Sequence, residues 1–152
     1  MKNIIQSKVG KLEIISKDGY LLALNLSNEP LNETDSPFVK EIEKQISEYF
    51  KGQRKTFDLL ILLEGTDFQK KVWQALLNIP YGTTKTYKEI AIEVGSAKGS
   101  RAVGRACHKN KLMIIVPCHR VIGSDKSLTG YAGGLEIKKK LLLLEGNKHL
   151  FY

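Results

Sequence analysis

A chain of 152 residues, 42% apolar and 26% charged, is long enough for one sizeable core or for a core with a small appended lobe. That composition excludes an intrinsically disordered chain, and no apolar run approaches the roughly 20 residues that span a bilayer. Residues 1–8 lack the apolar stretch and small-residue cleavage site of a secretory signal, and two cysteines are too few for a disulfide framework. The expectation is a cytoplasmic protein with no membrane partner.

The net charge of +8 is unevenly placed. From Pro80 to Lys126, nine basic residues stand against three acids, so less than a third of the chain carries +6 of the total. A concentrated positive surface gains from phosphate contacts through counterion release. A solvated face kept positive for solubility is the plainer alternative.

In chain order, residues 11–16 and 20–26 read as strands joined by Lys17-Asp18-Gly19, because Asp-Gly is a strong hairpin signal. Ser36-Pro37 starts a helix with Ser as N-cap and Pro at the first helical position. Val39, Ile42, Ile46 and Tyr49 then recur at helical spacing up to Gly52. This amino-terminal α/β lobe, residues 1–62, carries no polar cluster suited to chemistry and is expected to be a scaffold. The expected fold class is therefore α/β, with residues 63–152 forming a mostly helical domain.

That second domain opens, after a looser stretch from 51 to 65, on the capping box Thr66-Asp67-Phe68-Gln69. Phe68, Val72, Ala75, Leu76 and Ile79 share one face of the helix, which stops at Ile79-Pro80-Tyr81-Gly82. A second capping box, Thr86-Tyr87-Lys88-Glu89, starts a short helix ending near Gly95. A basic helix begins near Ser100. Two short helices around a glycine-bearing turn form a helix-turn-helix pattern. Ala102, Gly104 and Ala106 on the second leave room for a close neighbour, either a packed helix or nucleic acid. Met113-Ile114-Ile115-Val116 reads as a buried strand. A glycine-rich loop at 129–134 and a last helix around 135–145, stopped by Gly146, complete the chain.

The chemistry gathers at Pro117-Cys118-His119-Arg120. A cysteine acts as a nucleophile through its thiolate, which nearby imidazole or cationic groups favour. Adjacent side chains in a strand face opposite ways, so pairing of Cys118 with His119 needs a turn, a helix start or a bridging water. A buried structural thiol is the plain alternative. Zinc between Cys107-His108 and Cys118-His119 is disfavoured, because adjacent ligands make tetrahedral ligation awkward. Cys107 reads as a packing residue.

Five motifs, Ile79-Pro80-Tyr81-Gly82, Thr86-Tyr87-Lys88-Glu89-Ile90-Ala91, Arg101-Ala102-Val103-Gly104, Ile115-Val116-Pro117-Cys118-His119-Arg120-Val121-Ile122-Gly123 and Thr129-Gly130-Tyr131-Ala132-Gly133-Gly134, follow one another at fixed intervals. In that order they resemble the O6-alkylguanine-DNA alkyltransferases, the methylated-DNA–protein-cysteine methyltransferase family. The likeness runs from about residue 66 to 146.

The resemblance implies a single-turnover, self-inactivating repair enzyme that moves an alkyl group from O6-alkylguanine, with O4-alkylthymine as a further substrate, onto Cys118. The partner is double-stranded DNA approached from the minor groove, with the lesion flipped out of the stack. His119 takes the thiol proton through a water and Glu145 orients His119. Tyr87 helps to rotate the nucleotide and donates toward guanine N3. Arg101 fills the gap in the stack, with Ala102, Gly104, Arg105 and Lys98 on the DNA side. Backbone carbonyls of Cys118 and Val121 accept from the exocyclic amine, and a backbone N–H near Ala132 supports O6. Tyr131 closes a wall, Asn110 ties the active-site turn to the basic helix, and Ser124 joins the substrate side.

No cofactor and no metal are expected, and a monomer suffices. Two departures stand out: Lys111 replaces a usual proline after the hinge asparagine, and Ala132 replaces a common serine. The amino-terminal lobe also has no Cys or His for the zinc that some members bind there. A non-catalytic lesion-binding protein, a helix-turn-helix transcription regulator and a thiol hydrolase are the rival readings.

Overall fold

The computed structural model describes residues 1–128, 130–131 and 133–150. It divides into two compact units, Met1–Leu63 and Glu64–Tyr152. No helix among the described residues is long and apolar enough to cross a membrane.

The first unit is a three-stranded antiparallel sheet with one helix. Its strands are β1 (Lys2–Ser7), β2 (Gly10–Lys17) and β3 (Tyr20–Leu26), in that spatial order. The β2–β3 turn lies where Asp-Gly predicts it, with Asp18 at φ 52° and Gly19 at φ 80°, the paired positive values that match strand twist. β1 is a strand the sequence reading missed. It pairs with β2 from Lys2↔Ile15 to Ser7↔Gly10.

Helix α1 (Pro37–Phe50) starts where Ser36 Oγ accepts the Val39 amide at 3.3 Å. It buries Val39, Ile42, Ile46 and Tyr49, and the sheet contributes Ile4, Leu12, Ile14, Leu21 and Leu24 to the core. Each such side chain, fully buried, contributes about 1.5–3 kcal/mol. The stretch after α1 is held rather than loose. Buried Gln45 acts as a surrogate strand partner, donating to the Asp58 carbonyl at 3.1 Å and accepting its amide at 2.9 Å. Beyond it, the Leu21 amide donates to Leu60 O and the Leu62 amide to Leu21 O, closing part of the free edge of β3.

The second unit is mostly helical: α2 (Asp67–Leu77), α3 (Tyr87–Glu93), α4 (Ser100–His108) and α5 (Leu135–Leu144). Both expected capping boxes form in full, at Thr66/Gln69 and at Thr86/Glu89. The indole of Trp73 donates to the Ala106 carbonyl at 2.9 Å and fastens α2 to α4. Ala106 is therefore a helix-packing residue. Gly104 is different: a Cβ there would meet only the Tyr87 ring, at 4.0 Å. Ala106 thus meets a packed helix, whereas Gly104 leaves open space beside the Tyr87 ring.

Two further short strands, β4 (Lys85–Thr86) and β5 (Val121–Ile122), pair in parallel and were not foreseen. They lash the start of α3 to the residues just beyond the cysteine.

The expected strand at Met113-Ile114-Ile115-Val116 does not form. The run is buried, as its composition requires, but as consecutive tight turns. The Ile115 amide donates to Met113 O at 2.8 Å across Ile114, whose φ is 75°. This is a γ-turn of the rare positive-φ kind, strained for a β-branched residue. A second γ-turn follows, with the Cys118 amide on Val116 O at 2.8 Å across Pro117 at φ −81°, ψ 63°. A strand would need a ladder partner; here Asn110 supplies the hydrogen bonds instead.

Candidate active site

Cys118 begins a single 3-10 turn, Cys118–Arg120, directly after the Pro117 γ-turn. The turn that pairing of Cys118 with His119 called for is present, yet the two side chains take different partners. The sulfur faces Asn110 and the next two side chains face Glu145.

Asn110, just past the end of α4, organises the approach. Its Oδ1 accepts the Leu112 amide at 2.9 Å, an Asx turn across Lys111. Its Nδ2 donates to Val116 O at 2.9 Å and to Cys118 Sγ at 3.3 Å. One buried amide therefore holds both the turn and the sulfur.

On the other side, the Glu145 carboxylate at the end of α5 accepts from His119 Nε2 at 2.7 Å. It also receives Arg120 in a fork, Nε to Oε1 at 2.7 Å and Nη2 to Oε2 at 3.0 Å. Arg120 Nη1 donates to Ile79 O at 2.7 Å. The buried ion pair is thus well furnished with hydrogen bonds, the condition under which burial of charge is tolerable. The Ile79-Pro80-Tyr81-Gly82 motif acquires its meaning here. Gly82, at φ 81°, brings backbone so close that a Cβ would lie 3.1 Å from Glu145 O.

The electrostatics follow from this packing. Burial pushes the Cys118 thiol up, with the Asn110 hydrogen bond and the Lys138 charge working against it. Burial holds the His119 imidazole below its usual value, although Glu145 opposes this, so the ring is neutral. Burial acts to raise Glu145, but hydrogen bonds from His119 and Arg120 outweigh it and bring the carboxyl to about 2. The ionised carboxylate fixes the proton on His119 Nε2 and leaves Nδ1 as a lone pair. Nδ1 is buried and has no hydrogen-bond partner among the described residues. At rest, the group is a protonated thiol beside a neutral base.

A cavity of about 560 Å³ lies on the basic side of the same unit, lined by Tyr87, Arg101, Gly104, Arg105, His108 and Gly130, among others. Tyr87, at the start of α3, therefore shares a wall with Arg101 and Arg105 of α4. Ala102 is half-buried on α4, and Lys98 is exposed in the turn before it. Cys118, only 4% exposed, is not on the cavity wall, nor is buried Tyr131. Ser124 is exposed in the turn closed by the Gly123 amide on Ser127 O. Ala132 and Thr129 lie outside the described residues.

Two charged residues escaped the sequence reading. Arg120 was seen as a neighbour of the sulfur, whereas its guanidinium serves Glu145. Lys138 was not considered at all. It is fully buried and donates to Val121 O at 2.6 Å. Burial lowers its pKa to about 8, while Cys118 and Cys107 act the other way. Its spacing to Leu141, Leu142 and Glu145 on the buried face of α5 was the available signal. Val121 O, and Cys118 O, which accepts the Val121 amide, each retain a second lone pair.

Among the described residues no group of three or more His, Cys, Asp or Glu could hold a metal ion. Both cysteines are free, and burial pushes Cys107 up to about 12, in keeping with a packing role.

Comparison with known proteins gives the family. Residues 67–147 match the family described as 6-O-methylguanine DNA methyltransferase, DNA binding domain. Residues 1–63 match the ribonuclease-like domain of the same enzymes. A methylated-DNA–protein-cysteine methyltransferase of Methanosarcina barkeri is 57% identical over 110 residues, 72% of this chain and 70% of that protein. The constitutive one of Bacillus subtilis is 45% identical over 151 residues, 92% of each. The crystal structure of Mycobacterium tuberculosis OGT in complex with DNA superposes with a TM-score of 0.87 at 40% identity, covering 99% of both chains. The chain belongs to the 6-O-methylguanine DNA methyltransferase family.

Proposed function

We propose that this protein repairs DNA by taking the alkyl group from O6 of a guanine onto Cys118, once per molecule. One observation carries the reading: a buried thiol next to a neutral imidazole whose Nε2 is tied to an ionised carboxylate and whose Nδ1 is open. This is the nucleophile, base and orienting group of an activated thiol. The Cys118 proton passes toward His119, and the sulfur attacks the alkyl carbon. The carbon–O6 bond breaks, and its electron pair leaves on the purine. Asn110 steadies the sulfur as charge grows on it. The product is a thioether, which water does not readily cleave, so the site is spent.

The target sits inside a stacked duplex, so the nucleotide is flipped at a cost of a few kcal/mol. The cavity beside α4 supports this role, with Arg101 filling the gap left in the stack. Tyr87, on the same wall, donates to guanine N3. Arg105, Lys98 and the half-buried Ala102 and Gly104 face the minor groove. The protein works as a monomer, and it acts in the compartment that holds the DNA.

Titrating an O6-methylguanine duplex with the protein tests this. Restored guanine rises to one equivalent per chain and stops. Continued release beyond one equivalent indicates a hydrolase, and duplex binding without any restored guanine indicates a lesion-binding protein.

A further inference from the structure

The carboxylate that orients His119 is shared with a cation. Glu145 Oε2 accepts from His119 Nε2 at 2.7 Å and from Arg120 Nη2 at 3.0 Å, while Oε1 accepts from Arg120 Nε at 2.7 Å. His119 and Arg120 are consecutive residues of one tight turn, so a single carboxylate serves two neighbouring side chains. The guanidinium is also held from a further segment. Its Nη1 donates to Ile79 O at 2.7 Å, its carbon lies 5.8 Å from the centre of the Tyr81 ring, and the residue is buried.

An ionised carboxylate 2.7 Å from an imidazole would by itself draw a proton onto the ring, because a close opposite charge favours the charged form. That proton would fill Nδ1, the lone pair the reaction needs. Here the carboxylate already faces a cation, so the Arg120–Glu145 pair offers the ring little net charge. Burial then makes an imidazolium unfavourable, since His119 is wholly shielded from solvent. Lys138 of α5 also acts on the ring, and pushes the same way as Arg120. The neighbouring titratable groups are Cys118 on the same turn, Tyr81 beside the guanidinium and Tyr131. Burial favours the protonated form of all three.

We infer that Arg120 is a positioning residue for the alkyl transfer: by neutralising Glu145 in a fixed fork, it keeps His119 Nδ1 vacant to receive the Cys118 proton. The inference rests on the function proposed above. Arg120 exchanges no proton itself and acts through the carboxylate. Glu145 can therefore orient the imidazole without charging it.

The test is an NMR titration of the His119 ring, assigned with a His119→Gln control, in wild type, Arg120→Met and the double variant Arg120→Met/Glu145→Gln. His108 and His149 are exposed and serve as internal references. Wild-type His119 is expected to titrate below the ordinary 6.5. In Arg120→Met its proton affinity should rise by about tenfold or more, and the acid limb of single-turnover methyl transfer should move up with it. The double variant leaves neither charge of the pair unpaired, and there the affinity should fall back toward wild type. Should Arg120→Met fail to fold, Arg120→Lys takes its place; it keeps a cation but lacks the fork, and a smaller rise is expected. A His119 that titrates in the single variant as it does in wild type overturns the inference, because the fork is then only a structural bond. The titration needs no DNA, so the two readings fail separately. If wild type takes up no methyl, the proposed function fails; if it does and His119 is unmoved, only the role of Arg120 fails.

Discussion

Lys138 Nζ lies 2.6 Å from the carbonyl oxygen of Val121, entirely shielded from solvent, on the same face of α5 as Glu145. An ammonium in that place is costly to bury and is worth its cost only where a negative charge develops. Between pH 8 and 10.5 the unfolded chain holds a proton on this lysine that the folded chain has released. Stability therefore rises with pH across that window, on the order of 3 kcal/mol for this one group. Lys138→Met should lack the rise in urea titrations performed on both sides of the window. It should also slow methyl transfer near neutrality by about tenfold, because the thiolate loses a cation whose charge favours it.

Asn110→Ala removes the donor to Cys118 Sγ and the clamp on the Val116 and Leu112 backbone. It leaves buried backbone groups unpaired, so a loss of about 2–3 kcal/mol is expected in denaturant melts. Single-turnover transfer should fall by about 10- to 100-fold, beyond what partial unfolding explains. A rate equal to wild type would show that the sulfur does not depend on the amide.

Glu145→Gln deprives a buried guanidinium of its counter-charge and His119 of its anchor. The expected cost is about 3–5 kcal/mol by chemical denaturation. The wild-type carboxyl lies at about 2 in the folded chain against 4.5 when unperturbed. Its contribution is complete above pH 4.5 and disappears as pH falls through about 2. That is on the order of 3 kcal/mol, which the Gln variant should not lose on acidification.

Arg101 is exposed on the cavity wall. Arg101→Ala should leave the melting temperature unchanged and weaken duplex binding, with a shallower salt dependence. Repair of a duplex should fall by about tenfold or more, while reaction with free O6-methylguanine base stays near wild type, since flipping is the step removed. Equal losses on both substrates would contradict the assignment.

Local hydrogen-bond arithmetic made much of the fold readable. Thr66 and Thr86 announce their helices because each cap needs only residues three apart, and Asp18-Gly19 fixes its hairpin in the same way. Met113-Ile114-Ile115-Val116 misled because an apolar run reports burial and not backbone direction. The turns there exist because Asn110 reaches forward to satisfy the carbonyls, a bond no periodicity encodes. β1 was overlooked because residues 1–8 were weighed as a leader and not as a strand. β4 and β5 are two residues each and pair across the chain, too short to leave a pattern. Cys118, His119 and Asn110 were legible as residue types in a spaced motif. Arg120 and Lys138 were not, because a buried charge is recognised only by the tertiary partner that makes it tolerable.

The most direct test of the account is the intact mass of the protein after mixing with excess O6-methylguanine duplex, followed by peptide mapping. Wild type should gain the mass of a single CH2 per chain, carried by the peptide containing Cys118, and gain nothing further with time. Cys118→Ala should remain unmodified. An unchanged wild-type mass, or a methyl group found on any other residue, would contradict the account at its centre.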